Sequence, residues 1–175
     1  MRRLLLLRHA KSERLAFGVD DVDRKLNDRG RIDAPKVGAY LVRHALIPDR
    51  AIVSTSARTR ETWKLVAAAF AKVPQHNFDE RIYEAELEAI LEVIRQCERS
   101  ASTLLIVGHN PGLQDLAALL IASGDAEARQ RLAEKFPTSG LAVIDFALDD
   151  WSRLHPQTGR LDHFVSPRTL NPATD

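Results

Sequence analysis

The sequence predicts an α/β fold of three layers, α/β/α, with helices on both faces of a mainly parallel mixed sheet. Three observations carry this. Leu4 to Leu7 and Leu104 to Val107 are uninterrupted apolar runs, with Ala51-Ile52-Val53 a shorter version, the pattern of strands buried on both faces. Segments with helical periodicity lie between them. Toward the end of the chain strand-like segments dominate, so the sheet is expected to be mixed.

Taken in order, Leu4 to Leu7 is the first strand. After Asn27, the apolar positions Ile32, Val37, Tyr40 and Leu41 follow helical spacing, and Pro48 marks the far boundary. The second strand is Ala51 to Val53, followed by a helix over Thr59 to Phe70. A third helix is predicted over Glu84 to Cys97, where Leu87, Ile90, Leu91 and Ile94 recur every three or four residues. After the Leu104 to Val107 strand comes a fourth helix. Asn110 is suited to cap it, Pro111 to its first position and Gly124 to its end, with Leu113, Leu116, Ala117 and Leu120 as the stripe. Leu141 to Phe146, Trp151 to Leu154 and Leu161 to Val165 read as strands. No repeat or linker divides the chain, and a single domain over 1–175 is expected.

Composition excludes several classes of function. With 25 Lys and Arg against 24 Asp and Glu, the formal charge is +1, and no global field marks a binder of nucleic acid or of membrane surfaces. Any attraction for an anion has to be local. No apolar run approaches the ~20 residues of a membrane span. The run after Met1-Arg2-Arg3 stops at Leu7, short of a leader's apolar region, so a cytoplasmic location is expected. Cys97 is the single cysteine, which leaves neither a disulfide framework nor a thiolate cluster for zinc.

In sheets of this kind, ligands bind at the carboxyl ends of the strands. The first strand runs into Arg8-His9, the second into Ser54 through Arg58, and the later buried strand into Gly108-His109-Asn110-Pro111. Any one histidine after a strand is more often a structural hydrogen-bonder. Two histidines and two arginines at analogous strand ends read instead as a site built for a dianion, because a guanidinium is a fixed charge whose fork matches phosphate oxygens. Helices starting near Ser56 and at Pro111 add their positive ends. No carboxylate flanks either histidine at ligand spacing, and the arginines would repel a cation, so neither metal nor another cofactor is expected.

These residues carry a resemblance. Leu5-Leu6-Leu7-Arg8-His9-Ala10, then Leu26-Asn27-Asp28-Arg29-Gly30, then Val53-Ser54 through Arg58 with Thr62, and finally Val107-Gly108-His109-Asn110-Pro111 resemble, in order and spacing, the motifs of the histidine phosphatase superfamily, which has the phosphoglycerate mutase-like fold. With Phe136-Pro137-Thr138, the chain is most similar to small bacterial phosphohistidine phosphatases of the SixA type. The resemblance implies a hydrolase with His9 as nucleophile, forming a phosphohistidine that water hydrolyses. It implies Arg8, Arg58 and His109 as the phosphate-binding and charge-stabilising set. The two arginines are expected to push the His9 pKa down and favour the neutral imidazole. Ala10 departs from the glycine usual after the histidine, which weakens the expectation of close backbone contact with phosphate there.

Many family members supply the leaving group's proton from a mid-chain acid. Glu84 best matches that position, with Glu80 the second choice; Glu84 equally fits the first turn of the third helix, where the helix dipole alone favours it. Lys11 and Ser12 line an entrance or are plain surface. His44 is read as packed or at a boundary, His76, His155 and His163 as surface, Trp63 and Trp151 as core, and Arg60, about 200° round the helix from Arg58, as pointing away. Asp20, Asp21 and Asp23 form a mixed-charge loop, solvated or facing a partner. The expected substrate is a phosphohistidine on a protein, such as a phosphorelay domain in signal transduction, since a chain of this length has little material for a cap around a small molecule. The alternatives are a small-molecule phosphomonoester phosphatase and a non-catalytic phosphate-recognition module.

Overall fold

The computed structural model describes residues 1–170; the last five residues of the predicted 1–175 domain lie outside the described residues. The strands are β1 (Arg2–Arg8), β2 (Arg50–Ser54), β3 (Gln75–Asp79), β4 (Thr103–Gly108), β5 (Ile121–Gly124), β6 (Leu141–Phe146) and β7 (Gly159–Val165). The helices are α1 (Asp28–Arg43), α2 (Ala57–Ala67), α3 (Leu87–Arg95), α4 (Gly112–Leu120), α5 (Ala126–Glu134) and the short α6 (Pro167–Leu170). The seven strands form one sheet in the order β3-β2-β4-β1-β6-β7-β5. β3, β2, β4 and β1 run parallel, β6 is antiparallel to both its neighbours, and β5 is parallel to β7. The fold is the mixed, mainly parallel α/β sheet that the apolar runs predict.

The uninterrupted leucines of β1 have a direct explanation. Leu5 and Leu7 face Val37, Leu41, Trp63 and Val66 of α1 and α2, while Leu4 and Leu6 join the core under α3, α4 and α5. Both faces are dry, so the period-two alternation of a half-exposed strand has no reason to appear. β4 divides in the same way, Leu105 and Val107 to one core and Leu104 and Ile106 to the other. Among the described residues, no helix is long and apolar enough to cross a membrane.

Several elements differ from the sequence pattern. Asn27 caps α1, its side chain accepting from the Gly30 N–H, but Ile32 is 55% exposed, and the inner face runs instead through Gly30, Ala34, Val37 and Leu41. The third helix begins at Leu87, so Glu84 precedes it, in a turn with φ of 46°. The fourth ends at Leu120 because Ile121 to Gly124 is drawn into the sheet beside β7. Pro111 flanks that helix rather than opening it, and the Asn110 side chain accepts from the Gln114 N–H. Trp151–Arg153 is a 3-10 turn and not a strand. The Asp150 side chain caps it, and the buried Trp151 indole donates to the Ala101 carbonyl at 2.7 Å, so local hydrogen bonds outweigh the aromatic's strand preference. β3 and α5 went unread because both are polar, β3 as an edge strand and α5 as a helix that buries only Ala128 and Leu132.

Candidate active site

Strand register sets the site. Arg8 pairs with Gly108 across β1 and β4, and Val53 pairs with Val107 across β2 and β4, so His9, Ser54 and His109 leave the sheet at one level. The His9 N–H donates to the Gly108 carbonyl at 3.0 Å, prolonging the ladder by one residue. The two imidazoles then stand with ring centroids 5.4 Å apart. Gly30 is pressed on the loop after His9: a Cβ there would lie 2.1 Å from the Lys11 carbonyl oxygen. This contact lets the start of α1 brace the loop from behind.

His9 is buried, and its Nδ1–H donates to the Ala10 carbonyl at 2.7 Å. That bond places the proton on Nδ1 and leaves Nε2 with a free lone pair. Burial is the main force pulling the His9 pKa down to about 4, against the Ala10 bond, with the charges of Arg58, Arg8 and Arg24 adding to it. The cations act in the expected direction, but desolvation leads. The Ala10 N–H donates to Thr62 Oγ1 at 2.9 Å, which itself donates to the Arg58 carbonyl at 2.7 Å, joining the β1 loop to the first turns of α2.

Arg58 sits in the first turn of α2 behind the cap residue Ser56, and its side chain is fully buried. Its Nη2 donates to Glu84 Oε1 at 2.5 Å and to Asp21 Oδ2 at 3.0 Å, and its Nη1 to the Asp21 carbonyl at 2.9 Å. Glu84 Oε1 is also 3.2 Å from His109 Nδ1, a shorter contact than the 3.4 Å from that nitrogen to Arg58. The shorter contact puts the proton on Nδ1, so His109 donates to the carboxylate and its Nε2 accepts from the Ser54 hydroxyl at 2.7 Å. Burial is again the main force holding the His109 pKa down to about 3, reinforced by His9 and Arg58. Arg8 is half-buried; its Nη1 donates to the Phe136 carbonyl at 3.0 Å, and its own pKa is lowered by burial.

The structure thus brings Arg8, His9, Arg58, His109 and Glu84 to one locus. Glu84 stands there as a side chain of the turn before α3, which removes the helix-dipole reading of this residue. A Cβ on Gly112 would lie 2.2 Å from the Ala85 carbonyl, so the start of α4 touches this turn and sets its height. Glu80 is instead exposed, at the start of the 3-10 turn Glu80–Ile82.

Sequence reasoning missed four participants. Asp21, read as part of a loop solvated or facing a partner, points inward: its carboxylate accepts from Arg58, from Arg24 Nη2 at 2.9 Å and from the Tyr83 hydroxyl. Burial alone would raise the Asp21 pKa, but these three hydrogen bonds overcome it and bring it down to about 2. The pocket therefore holds two carboxylates. Arg24, whose Nη1 donates to Ser12 Oγ at 3.0 Å, is near enough to His9 for its charge to be felt there. Ser54 and Tyr83 complete the set, and both had a signal, Ser54 as the last residue of a buried strand and Tyr83 as the neighbour of Glu84.

Of the remaining side chains, Trp63 and Trp151 are core, Lys11 is exposed, and Arg60 points away, its guanidinium 4.0 Å over the Phe78 ring. His44 is exposed rather than packed, stacking at the end of α1 on Tyr40 with a centroid separation of 4.1 Å. His76 and His155 are exposed, and His163 is partly buried, bonded to the Tyr40 hydroxyl at 2.7 Å.

A sheet that delivers two neutral imidazoles and buried guanidinium charge to one carboxyl edge defines a class of α/β protein that handles phosphoryl groups. Comparison with known proteins identifies the family. The model described as histidine phosphatase superfamily (branch 1) matches residues 4–96. The uncharacterized protein Rv1276c of Mycobacterium tuberculosis is 36% identical over 164 residues, covering 93% of this chain and 100% of that relative. Among solved structures, a protein of Agrobacterium tumefaciens assigned as the phosphohistidine phosphatase SixA is 32% identical with a TM-score of 0.79, over 95% of this chain and 98% of that one. A Nakamurella multipartitia protein with the same assignment is 26% identical with a TM-score of 0.80, over 95% and 96%. The chain belongs to the histidine phosphatase superfamily (branch 1) and is a phosphatase.

Proposed function

We propose that the chain acts as a single cytoplasmic catalytic domain, a metal-independent phosphatase that removes phosphate from protein phosphohistidine, as on a phosphorelay domain. The observation that carries this is the Nδ1–H bond from His9 to the Ala10 carbonyl, which presents an unprotonated Nε2 amid arginine charge. Nε2 attacks phosphorus in line, the P–N bond to the substrate imidazole breaks, and that imidazole leaves already carrying a proton. Water then attacks the His9 phosphoryl group, His9 departs neutral, and the water proton passes to solvent or to Glu84. Arg8 and Arg58 hold the phosphoryl oxygens while charge redistributes, joined by the His109 Nδ1–H, which turns from the Glu84 carboxylate to the incoming group.

A protein-borne substrate is supported by the SixA assignment of the Agrobacterium relative and by the rim of the site. The loop between His9 and Asp21 carries Leu15 at 59% exposure and Phe17 wholly exposed, apolar surface suited to a protein rather than a small solute. The test is dephosphorylation of a phosphohistidine protein, with chelator present, by the native chain and by His9→Ala. Loss of activity with chelator, or its retention in the variant, overturns the mechanism.

One observation favours a second reading, hydrolysis of small phosphomonoesters. Glu84 reaches both Arg58 and His109, where its carboxyl, when it carries a proton, is placed to give it to an alkoxide leaving group. Glu84→Gln, compared on an aryl and an alkyl phosphate, separates the two. A loss of about 10²-fold or more confined to the alkyl ester marks general acid catalysis and favours the phosphomonoester reading.

A further inference from the structure

Beside the site opens a groove of about 360 Å³, lined by Lys11, Arg29, Asp33, Thr138, Ser166 and Arg168 among others. One of its walls continues the segment that carries Arg8 and His9, and another is hydrogen-bonded to that segment. Lys11 lies two residues past His9, and Thr138 precedes Ser139, whose N–H is shared between the carbonyls of His9 at 3.0 Å and Arg8 at 3.2 Å. Arg29 comes from the first turn of α1 and Arg168 from α6, which packs against α1.

Charge in the groove is one-sided. Its carboxylate, Asp33, is buried and already engaged, accepting from Arg29 Nε at 3.1 Å with Lys36 Nζ 3.6 Å away. Among the described residues, neither Lys11 nor Arg168 has a carboxylate within ion-pair distance. Lys11 and Arg168, on two separate segments, therefore stand unpaired beside the Arg29–Asp33 ion pair, to which Lys36 adds a further positive charge. Positive charge from separate segments that line one open groove complements an acidic surface on a partner.

We propose that this groove docks the acidic surface that flanks the phosphohistidine of the substrate protein; the inference rests on the protein-phosphohistidine reading above. Lys11, Arg29 and Arg168 steer the partner and set its approach, while the P–N bond is broken at His9 a short distance along the same loop. Rim charges of this kind act on encounter rate and its salt dependence rather than on the chemical step.

The experiment measures kcat/KM of the full chain on two substrates with the same scissile bond, a histidine-phosphorylated phosphotransfer domain with an acidic surface and free phosphohistidine. For Lys11→Glu combined with Arg168→Glu, kcat/KM on the protein is expected to fall about tenfold or more and to stay within twofold on the free amino acid. In the native chain, added salt is expected to slow the protein reaction much more than the small one, and the variant is expected to lose that difference. Unchanged rates on both substrates, or equal losses on both, overturn the docking role. Native activity on free phosphohistidine with none on the protein overturns the protein-substrate reading itself, and the docking site with it. Activity on the free amino acid reports in every arm that the site has folded.

Discussion

Asp21 holds Arg58 by two contacts at once, its carbonyl oxygen accepting from Nη1 at 2.9 Å and its carboxylate from Nη2 at 3.0 Å. The guanidinium is fully buried, and a buried cation without a partner is costly, so Asp21 and Glu84 together make Arg58 tolerable at the sheet edge. The Asp21 carboxylate also binds Arg24 and Tyr83, fastening the loop after His9 to the turn that carries Glu84.

Asp21→Ala is expected to free Arg58 from one of its two anchors. The loss of charged hydrogen bonds on a carboxylate about a third exposed is expected to cost roughly 2 kcal/mol in urea denaturation. KM for an aryl phosphate is expected to rise several-fold as the guanidinium samples other positions. Unchanged stability and unchanged KM would show that Glu84 alone suffices.

Acid has a defined effect. The folded pKa of His9 is about 4 and that of His109 about 3, both below the ordinary 6.5. As pH falls below 6.5, the unfolded chain therefore takes up protons that the folded one refuses, and stability drops progressively as pH falls toward the folded pKa values. Denaturation midpoints measured from pH 7 to 4 should show this slope, and His109→Ala should flatten it. The acid limb of kcat/KM is expected near pH 4; a limb near 6.5 would mean that His9 is not held neutral by its surroundings.

Gly112→Ala tests how the Glu84 turn is held. The added Cβ would meet the Ala85 carbonyl at 2.2 Å, so the turn has to lift away from α4. Overpacking of this kind costs about 1–3 kcal/mol. The variant should match Glu84→Gln in its activity on an alkyl phosphate, whatever that activity is, because the carboxylate leaves Arg58 and His109. A crystal structure of the variant with Glu84 still on Arg58 would contradict this account.

Ser54→Ala removes the hydroxyl that donates to His109 Nε2 and leaves a buried acceptor unpaired. The expected penalty is about 1–3 kcal/mol in stability. The His109 ring, released at one end, should also turn, visible as a changed ¹³C or ¹⁵N imidazole shift and a lower kcat. Wild-type shifts in the variant would assign that role to Glu84 alone.

The buried strands were legible because both their faces are apolar, and Arg8, His9, Arg58 and His109 were legible because each follows such a strand or opens the helix after it. Asp21 was not. Its neighbours Asp20 and Asp23 give the loop a solvated composition, and only the 3-10 turn over Asp21–Asp23 aims one of the three carboxylates at Arg58. The polar β3 and α5 escaped for a related reason, since an edge strand or a mostly exposed helix leaves little hydrophobic period.

By itself the sequence determined a doubly covered, mainly parallel sheet and the set of cationic and imidazole groups at its carboxyl edge, because burial imposes apolar runs and turn chemistry punctuates them. Only the tertiary structure decided which acids join that set. Ion pairs such as Arg58 with Asp21, 37 residues apart, depend on where loops close in space. The proton position on His9 and His109 was decided there as well, since a tautomer follows from the acceptor each ring nitrogen meets: the Ala10 carbonyl for one, the Glu84 carboxylate and Ser54 hydroxyl for the other.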